Sequence, residues 1–248
     1  MPIVVVSKSF NSNPRGVRNV KVVILSGGMG KRLRPLTDYL PKPLLPICGI
    51  PIIEWQIKYF KKFGVDEFII CAGYRGAQII DFLESKDLGA KISFSLEKSP
   101  LGTGGAIKNA SRHIGKEDFF VINGDVITNL DLNRLKGNPN SIAVIPLRTN
   151  FGVVHIEGNK VRKFEEKPEL VNYWMNAGIY YLKNSVLKLL PKTGNIENTA
   201  FPKLATAGNL LAVKFERVFW QSVDSHKDID ESTRQMQSIK YEDFLLRW

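Results

Sequence analysis

The sequence has little cysteine and no long apolar run. Cys48 and Cys71 are the only cysteines among 248 residues, and both lie in apolar surroundings without metal-ligand spacing. They are predicted to be reduced core residues of a cytoplasmic protein. No apolar run approaches the roughly 20 residues that cross a bilayer, so no membrane span is predicted. The short run at 3–6 has no basic segment before it, and a secretory signal is not expected.

Acidic residues are fewer than basic ones. The chain has 24 Asp and Glu against 35 Lys and Arg, a formal net charge of +11. This excess suits a polyanionic partner, either nucleic acid or small phosphorylated substrates, and equally a solvated surface rich in lysine. The basic residues are spread along the chain without the interleaved aromatic pattern of an RNA-binding sheet, so no nucleic-acid partner is predicted.

Internal repeats and low-complexity tracts are also absent. The length fits one large domain or two small ones. Residues 1–19 are predicted to form an N-terminal arm, because turn-forming residues at 11–16 separate the first apolar run from the next. Residues 20–248 are predicted to form a single domain.

Strands alternate with helices from residue 20 onward. The predicted strands of the first half are 20–25, 67–71, 91–96 and 118–122, and its helices are 51–64, 77–85 and 103–113. This alternation implies right-handed crossovers and an α/β fold: a Rossmann-like, mostly parallel central sheet with helices on both faces.

The second half is predicted to add mixed strands around a cleft. These strands are 141–146, 153–156, 161–165 and 179–182, and the helices are 185–190, 198–205 and 228–241. The inner stripe of the last helix is predicted to be Ile229, Thr233, Met236 and Ile239, with Met236 serving packing.

A glycine-rich loop, LSGGMGKRLRPLT at 25–37, directly follows the first strand. Its glycines let backbone N–H groups approach a phosphate chain, and Lys31, Arg32 and Arg34 add positive charge. Ligands of an open parallel sheet bind at the carboxyl ends of its strands, where this loop lies. Lys31 is followed by Arg rather than Ser or Thr, which excludes a P-loop. Leu33 replaces the third glycine of a dinucleotide fingerprint. A glycine turn without ligand is the alternative.

Two distant aspartates are candidate metal ligands. Asp125 in NGD at 123–125 ends the fourth predicted strand, and Asp224 follows another apolar stretch. Mg²⁺ prefers one or two carboxylates together with phosphate oxygens and waters. Two aspartates that meet over a triphosphate would satisfy this preference, whereas a capped turn is the alternative for either aspartate alone.

The glycine loop and PKPLLP at 41–46 together resemble the signature of sugar-1-phosphate nucleotidyltransferases. The resemblance spans about 20–228 and implies an enzyme that joins a nucleoside triphosphate to a sugar 1-phosphate and releases pyrophosphate. In that family the loop arginine, here Arg32, and the lysine of the Pro-Lys-Pro segment, here Lys42, contact the triphosphate. The other loop residues assigned to the nucleotide are Ser26, Gly27, Gly28 and Gly30.

The same resemblance also predicts two halves of the domain and a metal site. It implies a nucleotide-binding half at 20–125, a sugar-binding half at 126–248 and Mg²⁺ held by Asp125 and Asp224. Many members place the late aspartate two residues after tryptophan, whereas Asp224 stands four residues after Trp220. That spacing resembles the cytidylyltransferase branch. The β-helix domain that members often append is not expected here.

Three segments resemble the family's sugar pocket: FG at 151–152, FEEKP at 164–168 and NAG at 176–178. By resemblance, Lys167 contacts the sugar phosphate and Glu166 accepts hydrogen bonds from ring hydroxyls. The remaining residues assigned to the sugar are Gly152, Asn176, Gly178 and Glu197. On spacing alone, an exposed charged turn is the alternative for 165–167, and Thr199 replaces the acid usual before Phe-Pro.

The segment EKSPLGTGGA at 97–106 resembles the base-binding loop and adds Gly102 and Thr103 to the nucleotide residues. Guanylyltransferases commonly have Glu at the position of Glu97, where many uridylyl- and thymidylyltransferases have Gln. A carboxylate accepts both N1–H and N2–H₂ of guanine, whereas uracil or thymine offers one N–H between two carbonyls. GTP is therefore favoured, and mannose-1-phosphate guanylyltransferases are the most similar group. Thymidylyl, uridylyl and cytidylyl transfer to glucose 1-phosphate stay open.

A non-catalytic regulatory subunit that binds a nucleotide sugar is the alternative of another class. Such relatives tend to lose the loop arginine, the lysine or a metal aspartate, and this sequence has all of them. A nucleoside triphosphate and a sugar 1-phosphate are thus the predicted partners. The oligomeric state stays open, with a homo-oligomer as one alternative.

Overall fold

The computed structural model describes residues 20–138, 140–149 and 151–238. The predicted arm at 1–19 and Ile239 of the last predicted helix lie outside these ranges. Within them, no helix has the length and apolarity that a membrane crossing needs.

The described strands begin with the first strand of the predicted sheet and continue almost to the end of the chain. They are β1 Lys21–Ser26, β2 Pro46–Ile47, β3 Ile50–Pro51, β4 Glu67–Ala72, β5 Lys91–Leu96, β6 Phe119–Asn123, β7 Val126–Thr128, β8 Ser141–Arg148, β9 Val153–Glu157, β10 Lys160–Glu165, β11 Glu169–Leu182, β12 Leu211–Lys214 and β13 Trp220–Ser222.

Helices connect most of these strands. The α-helices are α1 Leu36–Tyr39, α2 Ile52–Lys62, α3 Gly76–Glu84, α4 Gly102–Asn109, α5 Ser111–Ile114, α6 Asn133–Lys136, α7 Ala200–Thr206 and α8 His226–Ser238. Short 3-10 helices occupy Lys31–Leu33, Lys42–Leu44, Asn184–Lys188 and Ile196–Asn198.

Seven strands form the central sheet in the order β12-β8-β11-β6-β1-β4-β5. Strand β1 pairs in parallel with β4 and β6, and β4 pairs in parallel with β5. Strand β11 is antiparallel to both of its neighbours, β6 and β8, and therefore runs against the rest of the sheet. The predicted α/β fold with a mostly parallel sheet is confirmed.

The sheet is covered on both faces, because side chains of β1 alternate between two cores. Val22 and Ile24 pack in one core with Ile53 and Phe60 of α2. Val23 packs in the other core, to which α4 and α7 contribute. The helices on both faces agree with the near-continuous apolar run of β1, which is typical of a strand buried on both sides.

Several elements differ from the sequence prediction. The predicted strand at 179–182 is the end of the 14-residue β11, whose register against β8 shifts twice. These irregularities hide its alternation in the sequence. The predicted helix at 185–190 is a 3-10 helix, and the helix predicted at 103–113 divides at Ala110 into α4 and α5. Strands β7, β12 and β13 have only three or four residues, too few for a pattern to emerge.

The last helix begins at His226, two residues before its predicted start. Ser225 and Asp228 form a capping box there: the Ser225 N–H donates to Asp228 Oδ2 at 2.7 Å, and the Asp228 N–H donates to Ser225 Oγ at 3.4 Å. Met236 is buried in a third core with Trp55 and Val223, so its predicted packing role matches the structure.

Replacing Phe120 with Ala tests the core next to α2. Phe120 is 1% exposed, and its ring centroid lies 5.6 Å from Phe60 and 4.8 Å from Tyr181. We expect a loss of about 3–5 kcal/mol in the free energy of unfolding, because the cavity is lined by rigid rings. Urea denaturation measures it. Val161→Ala, at an exposed position of β10, is the control and should change stability by less than about 0.5 kcal/mol. Equal losses in the two variants would contradict this account of the core.

Candidate active site

A cavity of about 460 Å³ opens at the carboxyl end of β1 and β6. This volume lies within the range of small-molecule sites. The predicted site residues that line the cavity are Ser26, Gly27, Gly28, Gly30, Arg32, Lys42, Glu97, Gly102, Thr103, Asp125 and Asp224. The predicted residues outside its lining are Gly152, Glu166, Lys167, Asn176, Gly178 and Glu197.

The glycine loop is held in place by its own backbone and by a buried leucine. The Leu33 N–H donates to the Gly30 carbonyl at 2.9 Å, and Thr37 Oγ1 donates to the same carbonyl at 2.9 Å. Leu33 is 1% exposed and packs in the third core. The residue that departs from a dinucleotide fingerprint thus anchors the loop, while the neighbouring Arg32 side chain remains largely exposed at the cavity.

Lys42 lies between two carboxylates. Its Nζ is 2.7 Å from Asp125 Oδ2 and 2.9 Å from Asp224 Oδ1. The Arg32 guanidinium contacts Asp224 Oδ1 at 2.8 Å. Lys42 itself is fixed by the short 3-10 helix whose Pro43 and Leu44 are buried. Two cations and two anions therefore form one contiguous cluster at the cavity.

A short antiparallel ladder explains how the two aspartates meet. Strand β13 pairs with β7 so that Ser222 lies opposite Val126. Just beyond that pair, the Val223 N–H donates to the Asp125 carbonyl at 3.0 Å. The ladder therefore places Asp224 beside Asp125. Trp220 secures β13 because its Nε1–H donates to the Ala177 carbonyl of β11 at 2.8 Å.

The Asp224 carboxylate is held in its charged form. Partial burial raises its pKa, but hydrogen bonds from Lys42 and Ser222 and the charges of Lys42 and Arg32 outweigh burial and keep the pKa below its usual value. Asp224 is therefore an anion at neutral pH and can serve as a cation ligand.

The residues present fit a divalent cation that also binds phosphate. No group of three or more His, Cys, Asp or Glu side chains within the described ranges forms a metal cage. Two carboxylates that converge on one ammonium are nevertheless a suitable donor set for Mg²⁺, which completes its shell with substrate phosphates and waters.

Glu97 follows β5 and lies over the backbone of Gly27. Its Oε2 accepts a hydrogen bond from the Leu101 N–H at 3.1 Å. Burial raises the pKa of the Glu97 carboxyl, and the Leu101 N–H partly opposes that shift. One carboxylate oxygen is thus engaged by its own loop, beside the glycine loop predicted to bind phosphate.

Asn176 and Glu197 lie outside the cavity lining but connect to it through a hydrogen-bonded chain. Asn176 Nδ2 donates to the Tyr180 hydroxyl at 2.8 Å, and that hydroxyl donates to Glu197 Oε1 at 3.3 Å. Thr103, which lines the cavity, donates to Glu197 Oε2 at 2.6 Å. The register of β11 shifts between Asn176 and Tyr180, where Gly178 has a φ of 70°. This irregularity lies in the part of β11 that supplies Asn176 and Tyr180 to the hydrogen-bonded series of side chains.

The structure does not bring the β9–β10 hairpin into the cavity. Glu166 and Lys167 follow β10, their side chains are more than half exposed, and Lys167 Nζ lies 3.6 Å from Glu166 Oε1. Gly152 packs against the ring of Phe164. The exposed charged turn, the alternative stated for 165–167, describes this geometry.

Sequence reasoning missed some residues of the site. Asn123, Pro100 and Leu101 line the cavity and received no role. Asn195 also lines it, and its Oδ1 accepts a hydrogen bond from the Thr103 N–H at 3.2 Å.

The NGD motif contained a signal for Asn123, since its side chain stands at the same strand end as Asp125. Tyr180 gave no such signal, because a tyrosine within an apolar strand indicates core.

The mostly parallel sheet, the glycine loop after its first strand and the two aspartates at its carboxyl end define an open α/β protein whose ligand site lies at the carboxyl ends of the strands. The profile of the Nucleotidyl transferase family matches residues 21–238, and the chain belongs to this family. The family resemblance predicted from the glycine loop is confirmed.

Two guanylyltransferases are similar to this protein over most of its length. Mannose-1-phosphate guanyltransferase 2 of Candida glabrata is 37% identical over 226 residues, covering 84% of this chain and 62% of the relative. The D-glycero-alpha-D-manno-heptose 1-phosphate guanylyltransferase of Campylobacter jejuni is 37% identical over 172 residues, covering 67% and 77%. This chain thus spans less than two thirds of the mannose-1-phosphate relatives that it matches.

A solved structure shares the fold. HddC from Yersinia pseudotuberculosis complexed with GMP-PN has a TM-score of 0.70 and 27% identity to this chain, covering 88% of this chain and 99% of HddC.

Replacing Gly124 with Ala tests the strand end that carries Asp125. A Cβ at Gly124 would clash with the Leu25 carbonyl oxygen, and only backbone movement would relieve this contact. We expect a loss of about 1–3 kcal/mol in stability from overpacking, measured by urea unfolding. Gly28→Ala is the matched control, because a Cβ there meets nothing within 4 Å. A Gly124 variant as stable as the Gly28 variant would show that the turn has room to relax.

Proposed function

We propose that this chain transfers a guanylyl group from GTP to a sugar 1-phosphate and releases pyrophosphate, with mannose 1-phosphate as the acceptor and the cytoplasm as its location. The observation that carries the proposal is the convergence of Arg32, Lys42, Asp125 and Asp224 beside the glycine loop. Triphosphate chemistry needs this combination of fixed cations and metal-binding carboxylates.

The reaction requires positioning and charge neutralisation more than proton transfer. An oxygen of the sugar phosphate attacks the α-phosphorus of GTP in line. The bond from that phosphorus to the oxygen that bridges the α- and β-phosphates breaks, and this oxygen leaves as part of pyrophosphate. The nucleophile is already an anion, so no general base is needed. Arg32 and Lys42 are the cations of the cavity cluster and stabilise the negative charge on the departing phosphates.

Asp125 and Asp224 are the proposed ligands of Mg²⁺. When bound, Mg²⁺ supplies charge neutralisation at the phosphates. Lys42 provides the neutralising charge between the two carboxylates in the structure described here. The position of its ammonium supports a cation site at this point of the cavity.

The proposed binding site of the sugar 1-phosphate is supported by fewer contacts than the nucleotide site. Beyond their bonds to Tyr180, Gly178 and Thr103, Asn176 retains one amide hydrogen and each Glu197 oxygen retains a lone pair, and these can serve sugar hydroxyls. Lys167 remains the proposed contact of the sugar phosphate. Glu166, Gly152 and Gly178 remain the other proposed sugar-binding residues. The division into a nucleotide half at 20–125 and a sugar half at 126–248 is part of the same proposal.

Guanine is the proposed base on two grounds. Glu97 is acceptor-only as a carboxylate and lies beside the glycine loop, so it suits the two adjacent donors of guanine. The relatives named above are guanylyltransferases. The four-residue spacing from Trp220 to Asp224, which resembles the cytidylyltransferase branch, is the observation that weighs against GTP.

Pyrophosphate release tests the reaction directly. GTP, CTP, UTP, dTTP and ATP are each combined with mannose 1-phosphate and glucose 1-phosphate in the presence of Mg²⁺. We expect the highest kcat/KM with GTP and mannose 1-phosphate, and loss of turnover in Asp125→Ala because one metal carboxylate is gone. Near-normal turnover in that variant would remove Asp125 from the mechanism. Absence of release with every pair would contradict nucleotidyl transfer.

Replacing Glu97 with Gln tests base selection. The amide offers a donor where guanine also has donors, so kcat/KM for GTP should fall about 10–100-fold. The value of kcat/KM for UTP should fall less than this or rise. The measurement is the ratio of kcat/KM values for GTP and UTP. A ratio unchanged from that of the wild type would contradict recognition of guanine by Glu97.

A further inference from the structure

Gln56 is a buried amide in the middle of α2, directly behind the strand end that carries Asp125. It is 2% exposed. Its Nε2 donates to the Asn123 carbonyl at 2.8 Å and to the Val126 carbonyl at 2.9 Å. These two carbonyls bracket Gly124 and Asp125. One NH₂ group therefore holds both ends of the turn from which the Asp125 carboxylate projects.

The same turn is held from two other directions. The Gly124 N–H donates to the Leu25 carbonyl of β1 at 2.9 Å, and the Asp125 carbonyl accepts from the Val223 N–H at 3.0 Å. Gln56 supplies the third restraint and the only one of these that comes from a side chain. The turn is thus tied to β1, to the segment after β13 and to α2.

The chemistry of the two carbonyls specifies an amide. Both groups are acceptors, so their partner needs two donor hydrogens on one atom and no negative charge. A glutamate would face two carbonyl oxygens with acceptors of its own, and methionine would fill the space but donate nothing. The length of glutamine lets one nitrogen reach both ends of the turn.

Only the nitrogen of the Gln56 amide contacts the turn. Its Oε1 is buried and makes no hydrogen bond to any described residue. The two hydrogen bonds from Nε2 hold the Asn123 and Val126 carbonyls at a fixed separation, so the amide restrains the geometry of the turn between them.

We propose that Gln56 is a positioning residue that orients the Asp125 carboxylate for the divalent cation. The inference rests on the proposed function in one respect, that Asp125 is a metal ligand. Gln56 does not reach the cavity, so it acts only through the turn. Partners that orient metal ligands in this way typically contribute 10–100-fold to metal affinity.

The test is Mn²⁺ binding to the nucleotide-free protein, followed by the paramagnetic resonance signal of free Mn²⁺. In Gln56→Met, the dissociation constant should rise about tenfold. The Mg²⁺ concentration for half-maximal pyrophosphate release should rise in parallel, with little change in kcat at saturating Mg²⁺. The matched control is Tyr59→Phe, which removes a buried 2.8 Å hydrogen bond from the same helix to the Leu130 carbonyl. This control should shift Mn²⁺ affinity by less than about twofold.

The outcomes separate the inference from the proposed function. Wild-type Mn²⁺ affinity in a folded Gln56→Met variant would overturn the inference and leave the reaction intact. An equal loss in Tyr59→Phe would also overturn it, because any weakened contact of α2 would then suffice. Undiminished Mn²⁺ binding in Asp125→Ala would overturn it as well.

Absence of pyrophosphate release by the wild type would instead contradict the proposed function, and weakened Mn²⁺ binding in Gln56→Met would still support the positioning role. If Gln56→Met does not fold, Gln56→Asn replaces it. Its shorter amide cannot reach both carbonyls, so normal Mn²⁺ affinity in that variant would overturn the inference.

Discussion

The contact of one lysine ammonium with two aspartates is the interaction on which the site depends. Two carboxylates this close to one another would repel unless a cation lay between them. Lys42 supplies that cation, and Arg32 adds a second on the side of Asp224. The arrangement requires the proline-flanked 3-10 helix, the end of β6 and the segment after β13 to meet at one point, so much of the fold serves to support it.

Strand β11 links this charge cluster to the hydrogen-bonded chain of side chains that ends at Thr103. It runs against its neighbours, and its irregular register places Asn176 and Tyr180 where they connect to Glu197 and Thr103. The same strand accepts the indole N–H of Trp220 and thereby steadies β13. The one antiparallel strand of the sheet thus contacts both the hydrogen-bonded chain and the segment that delivers Asp224.

Contiguous motifs were predictable from the sequence, and contacts between distant segments were not. The buried run of β1, the glycine loop, Lys42 and Asp125 each stand in a local pattern with a physical meaning. The pairing of β7 with β13 involves three residues a side, too few for periodicity to detect. No local pattern singles out Tyr180 or Gln56, because Glu197 and the Asn123 and Val126 carbonyls, to which they donate, come from distant parts of the chain. The site roles of the exposed hairpin residues stay predictions.

The separation of the cluster residues along the chain has a consequence for folding. Lys42 and Asp224 touch although they stand 182 positions apart in the sequence. Contacts of such long range require large loops to close and therefore form late, after the local β-α-β units have assembled. A ligand that binds only the finished cluster stabilises the whole native state by mass action, not just the cleft. The melting temperature of the entire chain should thus rise as ligand occupies the cluster of Lys42 and the two aspartates.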